Sequence, residues 1–143
     1  MTRHIKASEK RGLKSIRRAP RSVLRRVFND LHRETGRKHE EDALRALQPG
    51  GGAPLPPWLH SAVRGTIAED QRGIDIVVHT DVGKLYLQIK SSWSGVRKFL
   101  ARYRKGNIIP YIVRTDDLGI LRARIVARLA EERDRIIALR SGP

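Results

Sequence analysis

A mixed α/β fold, a small central sheet flanked by helices, is predicted by three features of the sequence. Two period-two runs, Ile74–Thr80 and Leu85–Lys90, are joined by a glycine-containing turn and read as a β-hairpin. Segments with apolar residues at helical spacing lie on either side, at 36–48 and 118–140. A third apolar run, Ile108–Arg114, follows another helical stretch, so the order is helix, strand, strand, strand, helix, strand, helix. A chain of 143 residues makes one such domain with a real core.

Taken in order, residues 1–20 form a basic arm without an apolar face, and the single domain spans 21–143. Val23, Leu24, Val27, Phe28 and Leu31 repeat at helical spacing, predicting an amphipathic helix over 21–34 that docks on the core or on a second subunit. A separate helix from Gly36 to Gln48 is stopped by Pro49 and the glycines after it. Pro49–Pro57 is a loop rich in Pro and Gly, and Trp58–Thr66 supplies a weakly marked first strand. Beyond the hairpin, Val96, Phe99, Leu100 and Tyr103 form the stripe of a helix near 95–105. Pro110 limits where the strand 108–114 can sit in a sheet. The last helix, 118–140, carries Leu121, Ile125, Leu129 and Ile136 inward, and its Arg- and Glu-rich face suggests i,i+4 pairing.

The hairpin carries the chemistry. Ile74, Ile76 and Val78 alternate with Asp75, Val77 and His79, while Leu85, Leu87 and Ile89 alternate with Tyr86, Gln88 and Lys90. If both aliphatic sets face the core, the pairing parity is fixed, because a one-residue slip would bury the polar set. A two- or four-residue turn around Asp81–Lys84 satisfies that parity, for instance with Thr80 opposite Leu85. Asp75 then lies opposite Lys90 and diagonal to Gln88, roughly 7–8 Å away. One carboxylate, one amide oxygen and one ammonium thus converge. His79 shares their parity and reads as a partly exposed strand histidine.

Asp75 followed on the next strand by Gln88-Ile-Lys90, in the apolar frames Gly73-Ile-Asp-Ile-Val-Val and Leu87-Gln-Ile-Lys-Ser-Ser, resembles the PD-(D/E)XK nuclease superfamily. The resemblance covers roughly residues 36–115 and implies a restriction-endonuclease-like αβββαβ core followed by a C-terminal helix. It further implies that Asp75 and Gln88 bind Mg²⁺ or Mn²⁺, and that Lys90 orients the attacking water or stabilises developing charge. Where the superfamily usually has an acid, this chain has Gln88. Mg²⁺ takes oxygen ligands from one or two carboxylates plus substrate phosphate. A neutral amide oxygen therefore binds it more weakly unless another carboxylate contributes.

Glu40 is the first choice for that carboxylate. With Glu40 as i, Ala43, Leu44 and Leu47 fall at i+3, i+4 and i+7, so Glu40 lies along the buried stripe and Glu41 is turned away by about 100°. An acid there is costly without a partner, and its position suits the helix Glu of the resembled superfamily. Asp70 and Glu69, in the loop before Asp75, are rivals, as is Glu41.

Charge and composition set the partner class. Residues 1–38 hold 13 Lys/Arg against 3 Asp/Glu, a balance of +10; the remainder hold 17 against 12, a balance of +5, together the chain's +15. Such an arm draws in phosphate backbones through counterion release. Arg17 and Arg18 in the arm, Arg97 and Lys98 on the helix after Lys90, and Trp93 between them are the candidate nucleic-acid contacts. Trp93 reads as core or as a base-stacking platform. Zero cysteines exclude disulfides and Cys-ligated zinc and fit a reducing, cytoplasmic setting beside the nucleoid. No apolar run is long enough for a membrane span, and no internal repeat is visible. The expected activity is metal-dependent DNA hydrolysis, with a homodimer or partner subunit by family analogy. The alternatives are a catalytically silent nucleic-acid-binding module on the same fold and a basic RNA-binding or ribosome-associated protein.

Overall fold

The computed structural model describes residues 20–50, 52–102 and 107–142, with the side chains of His32 and of residues 99–102 left aside. Among the described residues, four helices and four strands follow in the order α1 (Arg21–Ala46), β1 (Leu59–Arg64), α2 (Ile67–Gln71), β2 (Ile76–Thr80), β3 (Gly83–Lys90), α3 (Trp93–Arg102), β4 (Ile108–Ile112) and α4 (Leu118–Arg140). The strands form one mixed sheet in the order β1-β2-β3-β4, with β1, β2 and β3 antiparallel and β4 parallel to β3. The mixed α/β class with flanking helices and a C-terminal helix is thus observed, and the weakly marked first strand is real. Pro110 stands in β4, an edge strand, where a missing N–H costs no ladder bond on the open side.

The chain divides into two compact units between Thr35 and Gly36. The two helices expected over 21–34 and 36–48 are one continuous helix, because no proline intervenes. A lone glycine in a helix interior costs about 1 kcal/mol, too little to stop flanking helix formers. In the first unit the apolar stripe stands open: Val23, Val27, Phe28 and Leu31 are 45–57% exposed.

In the second unit the core lies on one face of the sheet. Leu59, Ala62, Ile76, Val78, Leu85, Leu87, Ile89 and Ile109 pack against Ala43, Ala46 and Leu47 of α1 and Leu121, Ile125 and Leu129 of α4. This is the aliphatic parity that the sequence predicts. At the end of α1, the buried Arg122 of α4 donates to the carbonyls of Ala46, Gln48 and Ala53, and Gln48 Nε2 reaches Ala62 O at 2.8 Å. The cation sits where the last helical carbonyls lack partners and the helix dipole is negative. Although α4 is rich in arginine, Arg122 is 4% exposed. Within α4, Arg128 pairs with Glu131 and Arg135 with Glu132 at i,i+3, and Arg133 with its neighbour Asp134, so the ion pairs among the described residues are not at i,i+4. Arg133 also forks onto Asp81 in the hairpin turn at 2.8 and 2.7 Å and lies over the Trp58 ring.

The turn corrects the register. Thr80 pairs with Gly83 and Val78 with Leu85 across a two-residue turn, Asp81-Val82. Gly83 has φ +105°, a conformation side chains resist, and Thr80 Oγ1 closes the turn by donating to Gly83 O and accepting from Val82 N. Parity is as predicted, but the strands are offset by two residues: Val77 opposes Tyr86, not Gln88, and Asp75 does not oppose Lys90.

Candidate functional site

Asp75 stands one residue before β2, and three hydrogen bonds, not strand parity, fix it. Its N–H donates to Leu87 O at 2.9 Å, and its carbonyl accepts from Gly65 N at 2.8 Å. Its Oδ2 accepts from Ile89 N at 2.7 Å, which sets the carboxylate against the backbone between Gln88 and Lys90. The Gly65 bond requires glycine: a Cβ there would lie 2.4 Å from Ile74 O. The bare backbone at the end of β1 can therefore press against the strand that carries Asp75.

Asp75 is only 6% exposed, and burial pushes its carboxyl from 3.8 up to about 7. The Ile89 N–H pulls down, Glu40 and Asp70 push further up, and the Lys90 ammonium pulls down. Glu40, half-buried on α1, is also raised, first by burial and then by Asp70, against the pull of Arg64, Lys90 and Arg37. Asp75, Glu40, Asp70 and Lys90 therefore act on one another through space. His39, the neighbour of Glu40, joins its Nδ1 to the Ser91 hydroxyl at 2.9 Å, tying this turn of α1 to the end of β3.

Gln88 completes the set. Its Oε1 is a buried side-chain oxygen with no hydrogen-bond partner among the described residues. Buried acceptors are almost always paired, and an orphan calls for a reason. An amide oxygen without a partner is chemically an oxygen donor, as is the Asp75 carboxylate bonded to Ile89 N. No group of three or more His, Cys, Asp or Glu side chains stands assembled as a metal site among the described residues.

The rivals of Glu40 separate. Glu69 lies in α2, a short helix that the sequence reading took for a loop. It forms a capping box, with Glu69 Oε1 accepting from Thr66 N at 3.0 Å and Glu69 N donating to Thr66 Oγ1 at 3.2 Å. Those bonds hold its carboxyl below the usual range and occupy it. The signal was present as Thr66-Ile-Ala-Glu69, an S/T-x-x-E box. Asp70 remains within electrostatic reach of both Asp75 and Glu40. Glu41 is exposed, as its turn of the helix predicted, and His79 is partly buried on β2.

On the sheet face opposite the aliphatic core, Gln88 pairs with Pro110 and Lys90 with Ile112. The first turn of α3 adjoins them: a Cβ added at Gly95 would meet the Lys90 side chain at 3.4 Å. Trp93 opens α3 and is 61% exposed, so it is not a core residue, and Arg97 and Lys98 are exposed on the same helix. Arg17, Arg18 and Tyr103 lie outside the described residues, as do the side chains of Phe99 and Leu100. No helix among the described residues is long and apolar enough to cross a membrane. Comparison of the chain with family models, curated proteins and solved structures gives no match to any of them.

Proposed function

We propose that this protein is a divalent-metal-dependent endonuclease that hydrolyses DNA phosphodiester bonds. The observation that carries the reading is a buried Asp75 carboxylate, bonded to Ile89 N and within electrostatic reach of Glu40 and Lys90, on the strand pair that also carries the buried, unpartnered Gln88 Oε1. The element order, α1-β1-α2-β2-β3-α3-β4 with Asp75 just before β2 and Gln88 and Lys90 at the end of β3, supports the reading, with the short α2 as an addition to the αβββαβ order that the resemblance implies.

Asp75, Gln88 and Glu40, with Asp70 as the alternative to Glu40, would hold Mg²⁺ or Mn²⁺. The ion would supply an activated water and neutralise charge on the scissile phosphate. Glu40, its carboxyl raised by burial, is the group to take a proton from the attacking water. Lys90 places its ammonium against the phosphate as negative charge develops. The basic chain supplies non-specific attraction to the backbone. DNA as substrate sets its work in the cytoplasm at the nucleoid, with a second copy or partner subunit presenting the other strand.

The test is a Mg²⁺ and Mn²⁺ cleavage panel on supercoiled, linear, forked and four-way DNA. Wild type is expected to cleave, Asp75→Ala and Lys90→Ala to lose at least a hundredfold in rate, and Lys90→Ala to bind DNA nearly as well. Equal rates for all three proteins would sink the assignment. One observation favours a second reading, a catalytically silent nucleic-acid-binding module: no cluster of three acidic or imidazole ligands is assembled among the described residues. Salt-sensitive binding without cleavage of any substrate would select it. Preferential RNA binding, indifferent to Asp75→Ala, would select a basic RNA-binding protein instead.

A further inference from the structure

Beside the proposed centre lies a shallow, mostly apolar cavity of about 390 Å³, lined by Trp93, Val96, Pro110, Tyr111, Ile112 and Arg114. It is small for a ligand pocket. Its floor includes Pro110 and Ile112, the β4 partners of Gln88 and Lys90, so it adjoins the catalytic strand. Its wall is an indole left 61% exposed at the first residue of α3. The guanidinium carbon of Arg114 stands over one face of that ring, 5.7 Å from its centre, so the other face is the one left for a base and a cation adjoins it. No acidic side chain lines the cavity, and Arg97 and Lys98 are exposed one turn further along the helix.

We infer that this cavity is a stacking platform for one unpaired nucleobase of a DNA strand. The inference rests on the nuclease reading for its placement beside the scissile phosphate and goes on to name the substrate class: DNA with unpaired nucleotides, as at forks, flaps or single-stranded ends. An apolar surface walled by a flat π-system suits a flat ring. A cationic rim on a chain of net charge +15 suits a ring attached to phosphates and not an apolar peptide side chain. Bases inside a duplex already have both faces covered, so only an unstacked base can use such a platform.

The test is binding in EDTA, where cleavage plays no part. A single-stranded oligonucleotide carrying 2-aminopurine and the corresponding duplex are titrated with wild type, Trp93→Ala and Trp93→Phe. Expected are quenching of the probe in the single strand, a loss of about tenfold in single-strand affinity for Trp93→Ala, and most of that affinity retained by Trp93→Phe. Duplex affinity is expected to stay within twofold for all three. Thermal melting of Trp93→Ala checks that the exposed position tolerates the change. The inference is overturned if Trp93→Ala weakens both DNA forms alike or neither, or if RNA of the same sequence binds more tightly than the DNA. The two readings fail separately. Trp93-dependent single-strand binding without any metal-dependent cleavage removes the nuclease and leaves the platform; cleavage with Trp93-independent binding does the reverse.

Discussion

Asp75 is expensive to keep. Its carboxyl is raised from 3.8 to about 7, chiefly by burial, so the folded protein holds a proton that the unfolded chain has released. Between about pH 4 and 7 the folded state binds the extra proton, and stability falls as pH rises through that window. Above pH 7 the full cost is present, on the order of a few kcal/mol. Asp75→Asn keeps an oxygen to accept from Ile89 N–H and removes the buried charge. Without divalent metal, Asp75→Asn is expected to melt several degrees above wild type at pH 8, with the gap closing toward pH 4. Melting curves across that range check it, and a variant less stable than wild type at pH 8 would mean the carboxylate is structurally required.

At the scale of elements, the fold is held where α1 ends. Arg122 of α4 donates to three carbonyls from the last turn of α1 and the loop beyond it, so one buried cation joins two helices. Arg122→Met keeps the apolar stem and leaves those carbonyls unpartnered. It is expected to lower stability by about 2–4 kcal/mol, and Arg122→Lys by less, since a compact ammonium cannot span the three acceptors. Denaturant titration of the three proteins gives the order; equal midpoints would show the carbonyls to be solvated. This contact was not legible in the sequence, because a helical arginine with charged neighbours looks the same whether it meets water or another helix end. The hairpin parity was legible, since period two and one buried face determine it. The two-residue offset was not, because Asp81-Val82 is no strong turn signature and the positive φ falls at Gly83, just after it. Gly36 misled in the opposite direction: glycine weakens a helix without ending it, and only tertiary context decides. The partial burial of Glu40 was legible from its place on the apolar stripe, whereas the bond from Asp75 to the Ile89 N–H belongs to a strand end that leaves the regular ladder.

The whole molecule is organised by charge. Of the net +15, +10 falls in residues 1–38, whereas the oxygen donors of the candidate site all lie in the second unit. On the proposed function, attraction to the backbone and chemistry at the phosphate would fall to different parts of the chain, and they should be separable. Residues 1–20 alone contribute seven Lys/Arg. If each neutralises one phosphate, the slope of log affinity against log salt carries up to about −6 from the arm, at roughly −0.9 per contact on duplex DNA. Deleting residues 1–20 is therefore expected to make duplex binding several units less salt-dependent and to weaken it most at low salt. The metal dependence of cleavage and the Trp93-dependent preference for single strands are expected to persist, because their side chains lie beyond the deletion. Filter binding or anisotropy over a salt series measures the slope. An unchanged slope would place the phosphate contacts on the folded unit, with Arg97, Lys98 and Arg114 around the Trp93 cavity as the cations to remove next.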